Sequence, residues 1–283
     1  MLVTASGQAH GYVSGGCVEA AVAEQALACL HDGMPRLLHY GQGSPYIDIQ
    51  LTCGGSIHVL VRRVERPKWW VSTLREARSQ RRPVRIATSL ITGAMRILEG
   101  NRQSDDDEFD KQYSPPTKLV LVGSDPVTLA TAIIAKAVGL QVVLWRPHGP
   151  PEPPEEISVD RYFSSALRDG MDVIDLDSYT ALYCLTHDMD TDVDILLAAL
   201  ASPAFCVGVL GSRLKQSIRL QRLAEAGATE SQLSRLRSPA GVAIGATNPQ
   251  EIALSIVAEV IAHKAYPSRN SSGMGLATER AAA

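Results

Sequence analysis

Residues 118–145 read KLVLVGSDPVTLATAIIAKAVGLQVVLW. KLVLV is an apolar run of strand length, and QVVLW at the far end is another. Between them PVTLATAIIAKAV has helical composition, opened by Asp125-Pro126 and closed by Gly139. A strand, a helix and a strand of these lengths predict a parallel crossover unit. The same alternation continues downstream. MDVIDL, ALYCLT and FCVGVL are expected strands, and VDILLAALA, RLKQSIRLQRLAEA and PQEIALSIVAEVIAHK are expected helices. Residues 118–266 are therefore expected to form a Rossmann-like, doubly wound parallel sheet. The remainder, 267–283, is small and polar and is expected to be disordered.

Upstream the pattern changes. Residues 1–100 mix short strands and helices into an N-terminal α/β domain. LVTA and GYVS are expected to form a hairpin around Ser6-Gly7, before a helix from Val18 to about Leu30. LLHYG, YIDIQL and SIHVLVRRV alternate as strands, WWVSTLREARSQ is helical, and RRPVRIATSLITGAMRILEG holds two strands around Thr92-Gly93. Residues 101–117, NRQSDDDEFDKQYSPPT, concentrate acids and a proline pair and are expected to be an exposed linker.

Composition narrows the class of protein. The chain has 283 residues, is 45% hydrophobic and 20% charged, and carries a net charge of -3, as an ordinary globular protein does. No basic excess points to nucleic acid, and no apolar run is long enough to span a bilayer. Five scattered cysteines and a start, MLVTASGQAHG, without the features of a secretory signal predict reduced thiols in a cytoplasm.

Chemistry is suggested at four places. In SGGCVEA, Gly15 and Gly16 precede a helix that Ser14 can cap, and Cys17 falls in its first turn. There the helix dipole favours anions and lowers a thiol's pKa, although a small buried cysteine behind a tight turn would account for the same residues. LTCGGSIHVLV repeats the combination with Cys53, Gly54 and Gly55. ALYCLTHD and VGVLGSR place His187, and Gly211, Ser212 and Arg213, at the C-terminal ends of strands, where open parallel sheets bind ligands. His187 can serve as an acid, a base or a donor, and the turn at Gly211 as an anion cradle; a carbonyl partner and a helix-end ion pair are the structural alternatives. TNPQEIALSIVAE, by contrast, is explained by helix-start chemistry alone, with Asn248 as cap, Pro249 in the first turn and Glu251 completing a capping box.

Dinucleotide binding is poorly supported. In GSDPVT the place of the second glycine of G-x-G-x-x-G is held by Asp125, whose carboxylate would repel a pyrophosphate. Arg146 stands where an acid would bind the ribose of NAD. An arginine there can face the 2′-phosphate of NADP, although a lone surface arginine is the commoner case, and NADP is the slightly better supported of two weak oxidoreductase readings.

Taken in order, GYVSGGCVE, TCGGSIHVLV, LVLVGSDPVTLA, LTHDMDTDVDILLAAL, VGVLGSRLKQSIRLQRL and SPAGVAIGATNPQEIALSIVAEVI resemble the XdhC/CoxI family of xanthine dehydrogenase accessory factors. The resemblance spans nearly the whole chain. It implies an N-terminal α/β domain joined to a Rossmann-like domain. It also implies a chaperone, itself no hydroxylase, that binds molybdenum cofactor, helps keep or supply it in sulfurated form, and assists its insertion into an apo molybdenum hydroxylase. A cysteine desulfurase and a second copy of the chain are further expected partners. The family's SGGC maps onto Ser14, Gly15, Gly16 and Cys17, and its CGG onto Cys53, Gly54 and Gly55. A thiolate at Cys17 would be a soft molybdenum ligand, and the glycine-rich helix start would suit a pterin phosphate. His187, Gly211, Ser212 and Arg213 would line the second domain's cleft.

The sequence departs from the family in three ways. It begins after the family's usual Gly-Ser-x-Pro-Arg stretch, it has GSDP where a G-A-G-H turn is usual, and it has Arg146 at the acidic position. The rival readings are the NADP oxidoreductase and an interaction protein that binds a hydroxylase subunit without any cofactor.

Overall fold

The computed structural model describes residues 1–45, 51, 54–100, 102–164, 174–186 and 188–264, without the side chains of residues 213 and 214. The described chain divides into two compact units, with the division between Pro115 and Pro116.

The first unit opens with β1 (Leu2–Val3) and β2 (Ala9–His10), paired antiparallel. Their turn is closed by the Gly7 N–H on the Thr4 carbonyl and the Thr4 N–H on the Gln8 carbonyl. The expected second strand, GYVS, lies beyond β2; its residues enter a turn around Glu19 instead. Helix α1 (Glu19–Asp32) follows and ends at Gly33, which is left-handed and donates its N–H to the Cys29 carbonyl. Val18, Val22 and Cys29 pack with Leu38, Tyr40 and Val61 of an antiparallel hairpin, β3 (Arg36–Gly41) and β4 (Ser56–Val61). Each fully buried aliphatic side chain in such a cluster contributes about 1.5–3 kcal/mol. The hairpin closes tightly enough to require glycine at one position: a Cβ on Gly41, at φ 94°, would stand 2.1 Å from the Gly55 carbonyl oxygen.

Helix α2 (Pro67–Ser79) places Trp70, Leu74 and Ala77 at helical spacing against Val84 and Ile86. These belong to β5 (Val84–Ser89), which is flanked antiparallel by β6 (Met95–Leu98) and β7 (Glu108–Tyr113). Strand β7 lies inside the stretch expected to be a linker, and that expectation is corrected here. EFDKQY alternates half-buried and exposed residues, and its acids are neutralised from the same sheet. Glu108 accepts from Arg96, and Asp110 pairs with Arg85. The acidic run is thus partly a turn, with the Glu108 N–H on the Asp105 carbonyl, and partly an edge strand.

The second unit is built on β8 (Lys118–Val122), every residue of which is buried. Helix α3 (Pro126–Ala137) leads to β9 (Gln141–Trp145), and the short β10 (Arg161–Phe163) follows. Then come β11 (Thr180–Cys184), α4 (Met189–Ala201), β12 (Cys206–Val209), α5 (Arg213–Glu225), α6 (Glu230–Ser234), β13 (Leu236–Arg237) and α7 (Pro249–His263). The described strands form a parallel sheet in the order β10-β9-β8-β11-β12-β13, which turns back between β8 and β11. That is a doubly wound Rossmann-type sheet. Of MDVIDL, residues 171–173 lie outside the described chain and Ile174 to Leu176 form no strand, although both of those residues are buried; Arg161–Phe163 pairs with β9 instead.

Alternate strand residues serve opposite faces of the sheet. Leu119, Leu121, Val142, Leu144 and Ala181 cluster with Val127, Ala132 and Ala135 of α3 and Ile256 and Val260 of α7. Val120, Val122, Val143, Trp145 and Leu182 cluster with Ile195, Leu196 and Leu200 of α4 and Leu223 of α5. Both faces are covered, so β8, β9 and β11 read as continuous apolar runs.

Candidate functional site

The SGGC turn organises itself around one carboxylate. Gly15 and Gly16, at φ 87° and 125°, bend the chain so that its amides point inward. Oε1 of Glu19 accepts the N–H groups of Val13, Ser14 and Gly15 at 2.9, 2.7 and 3.0 Å. Oε2 accepts those of Gly16 and Val18 at 2.8 and 3.2 Å, and the Ser14 hydroxyl at 3.2 Å. The amides of Ser14 and Val13 lead in holding the Glu19 carboxyl far below the usual carboxylate range. Ser14 was expected to cap the helix. The N-cap is Val18, which has no capping side chain, and Ser14 contributes by accepting the Val18 N–H at 3.3 Å.

Cys17, expected in the first turn of the helix, precedes the N-cap Val18 and rides on this turn instead. It is exposed, whereas Val18 beside it is buried and anchors the segment to the core of the first unit. The alternative of a small buried cysteine is therefore excluded for Cys17. It does hold for Cys29, Cys184 and Cys206, which are buried; burial pushes the thiols of Cys184 and Cys206 up, away from reactive thiolate. The amides expected to receive a phosphate instead receive Glu19.

Cys53 and His187 lie outside the described residues, as does the side chain of Arg213. Gly54 and Gly55 are exposed and shape the end of the β3–β4 hairpin. Gly54 donates its N–H to the Leu51 carbonyl, and the Gly55 carbonyl accepts from Gln42. Ser14 to Cys17, Gly54 and Gly55 belong to the first unit, and Gly211 and Ser212 to the second.

In the second unit the strand ends are closely built. A Cβ on Gly123 would stand 2.5 Å from the Thr128 hydroxyl and 2.9 Å from the Leu185 carbonyl oxygen. Asp125 caps α3, its Oδ1 accepting the N–H of Thr128 at 2.8 Å and its hydroxyl at 2.6 Å. Pro126 takes the first helical position, as the sequence predicts. Asp188 caps α4 by accepting from the Asp190 N–H and the Thr191 hydroxyl. Ser212 caps α5, accepting from the Lys215 N–H at 3.4 Å. Asn248 caps α7 through the Glu251 N–H, while Glu251 itself reaches back to the N–H and hydroxyl of Thr247.

Beneath this rim lies a network that sequence reasoning missed. Asp192, on the first turn of α4, is 1% exposed and accepts from the Cys184 thiol at 3.0 Å, the Thr186 hydroxyl at 2.5 Å and Arg219 Nη2 at 2.8 Å. Arg219 of α5 also donates to the Leu210 carbonyl, and its Nη1 would lie 3.0 Å from a Cβ on Gly211. Gly211 and Thr186 are thus tied to one buried ion pair under the ends of β11 and β12. Asp192 precedes Ile195, Leu196 and Ala199 at helical spacing, and an acid on that otherwise apolar face was the available signal. Glu19 was missed as well, because a carboxylate at a helix start reads as an ordinary dipole partner.

Among the described residues no three His, Cys, Asp or Glu side chains gather as metal ligands, and no helix is long and apolar enough to cross a membrane.

Comparison with known proteins places this geometry. A family model described as the XdhC Rossmann domain matches residues 119–260, and one described as the XdhC and CoxI family matches residues 1–41. The chain is 30% identical over 276 residues to the molybdenum cofactor insertion chaperone PaoD of Escherichia coli (strain K12), covering 96% of this chain and 79% of that protein. It is 27% identical over 157 residues to a probable xanthine dehydrogenase subunit of Bacillus subtilis (strain 168), covering 54% of this chain and 44% of that one. A crystal structure of a xanthine dehydrogenase from Bacillus halodurans shares the fold, with a TM-score of 0.75 at 22% identity over 95% of this chain and 88% of the other.

Proposed function

The chain belongs to the XdhC and CoxI family, and from that premise we propose that it is an accessory protein that binds molybdenum cofactor and delivers it to an apo molybdenum hydroxylase. The observation that carries this reading is the exposed Cys17 on an internally braced turn, in a chain similar over most of its length to a chaperone of that cofactor. A thiolate is a soft donor suited to molybdenum.

In this proposal Cys17 is the contact with the metal end of the cofactor. A Cβ built on Gly15 or Gly16 meets no atom within 4 Å apart from the immediate chain neighbours. Gly54 and Gly55, in the same unit, are the further residues proposed to contact the cofactor. In the second unit Gly211 and Ser212, with Arg213 and His187 beside them in the sequence pattern, are the residues proposed to bind cofactor or client. Supply of the sulfurated form would involve a cysteine desulfurase as donor, and the working form would be a homo-oligomer.

The test is anaerobic loading of the purified chain with molybdenum cofactor, gel filtration, and metal analysis of the protein peak. Near-stoichiometric molybdenum that falls severalfold in Cys17→Ala supports the proposal. A folded protein that retains none overturns it. Retention unchanged in Cys17→Ala removes Cys17 from the site.

A further inference from the structure

A run of inward-pointing amides beside a helix start is an anion nest, the arrangement by which many proteins hold phosphate. Here the nest is full. Five amides and one hydroxyl of residues 13–18 are committed to the two oxygens of Glu19. We infer that Glu19 is a specificity-determining residue: its carboxylate closes the turn to a ligand's phosphate and leaves the Cys17 thiol as the group that a ligand meets. This rests on the reading of Cys17 as the cofactor contact, and adds which end of an anionic cofactor the turn accepts.

Two physical effects make the exclusion strong. Glu19 is tethered only a few residues from the amides, so it competes at an effective concentration of roughly millimolar or higher without losing translational freedom. An incoming phosphate would also approach a carboxylate of like sign while gaining amides that are already bonded. The second unit supplies an independent parallel. At the start of α3, where a dinucleotide phosphate would sit, Asp125 takes the N–H and hydroxyl of Thr128, and Gly123 is packed against the Leu185 carbonyl. Each of these glycine-containing helix starts is closed by a carboxylate of the chain itself, so a phosphate must be bound elsewhere or left outside.

The experiment follows the amide resonances of Gly15 and Gly16 in the full-length, glycine-labelled chain during titration with inorganic phosphate. Wild type is expected to show no saturable shift. Glu19→Ala, with the nest emptied, is expected to show saturable shifts with an affinity at least about tenfold above the wild-type limit, a difference of about 1.4 kcal/mol. Phosphate should then slow alkylation of Cys17 in the variant and not in wild type. Acetate, which replaces the missing carboxylate, should bind the variant too.

Wild type that binds phosphate at Gly15 and Gly16 as tightly as the variant overturns the inference. So does a folded Glu19→Ala that binds neither anion. If that variant loses the turn, Glu19→Gln keeps the side chain's length with half its acceptor oxygens, and phosphate binding to it above wild type supports the inference equally. Failure of wild type to retain molybdenum cofactor would remove the function proposed above and leave the phosphate result standing, so the two failures are distinct.

Discussion

Arg219 and Asp192 meet at 2.8 Å with their side chains 3% and 1% exposed, joining the first turn of α4 to the middle of α5 beneath the ends of β11 and β12. Removing one partner of a buried pair strands the other's charge. Asp192→Ala should therefore destabilise the protein by about 3–5 kcal/mol, read from urea unfolding. Replacing Asp192 and Arg219 together by leucine and methionine should recover most of that loss. A double variant no more stable than the single one would mean that the hydrogen bonds from Cys184 and Thr186 matter more than the charges.

The Gly41 position tests the hairpin that carries Gly54 and Gly55. A methyl group there meets the Gly55 carbonyl at 2.1 Å, and the backbone is left-handed. Gly41→Ala should cost about 1–3 kcal/mol through strain and a displaced strand end. Thermal unfolding measures the loss, and hydrogen exchange should place it in β3 and β4. An unchanged midpoint would contradict the close approach.

Thiol chemistry should separate the cysteines. Among Cys17, Cys29, Cys184 and Cys206, only Cys17 should be alkylated rapidly in the native protein, as peptide mapping by mass spectrometry would show. The other three should react only on unfolding. Fast labelling of Cys184 in the native state would mean that the strand-end network opens in solution.

The turn around Glu19 should be insensitive to moderate acid. Amides lower its carboxyl, so its contribution is present above the unfolded carboxyl value of about 4.3 and is lost only as pH falls through the lower folded value. Gly15 and Gly16 amide shifts should therefore hold steady from neutral pH to below the ordinary range of a free glutamate. A midpoint at the ordinary value would show that the carboxylate is not held by these amides in solution.

Asp125 can be judged as a cap on its own. Asp125→Ala should destabilise by about 1 kcal/mol, and Asp125→Asn, which keeps the acceptor, by less. Saturable NADPH binding in wild type that is lost in Arg146→Ala would instead revive the oxidoreductase reading.

Local rules carried far along this chain. KLVLV and QVVLW were legible as buried strands because a strand covered on both faces is apolar at every position. Asp125-Pro126 and Asn248-Pro249 were legible as helix starts because a cap and the amides that it satisfies lie within three residues. From such signals the Rossmann-like unit followed, whereas Cys17, expected in the first turn of α1, stands before its N-cap Val18. Strand β7 was not legible, because its acids look like solvent-exposed linker until Arg85 and Arg96 stand beside them. Asp192 and Arg219 are 27 residues apart, and nothing in either neighbourhood says that the two will share a core. Gly41 needs to be glycine only because Gly55 folds back against it. The sequence by itself determined the periodicities and caps, which depend on neighbours along the chain. Only the tertiary structure decided where each buried or inward-turned charge found its partner, because a carboxylate's partners are set by what the fold places around it.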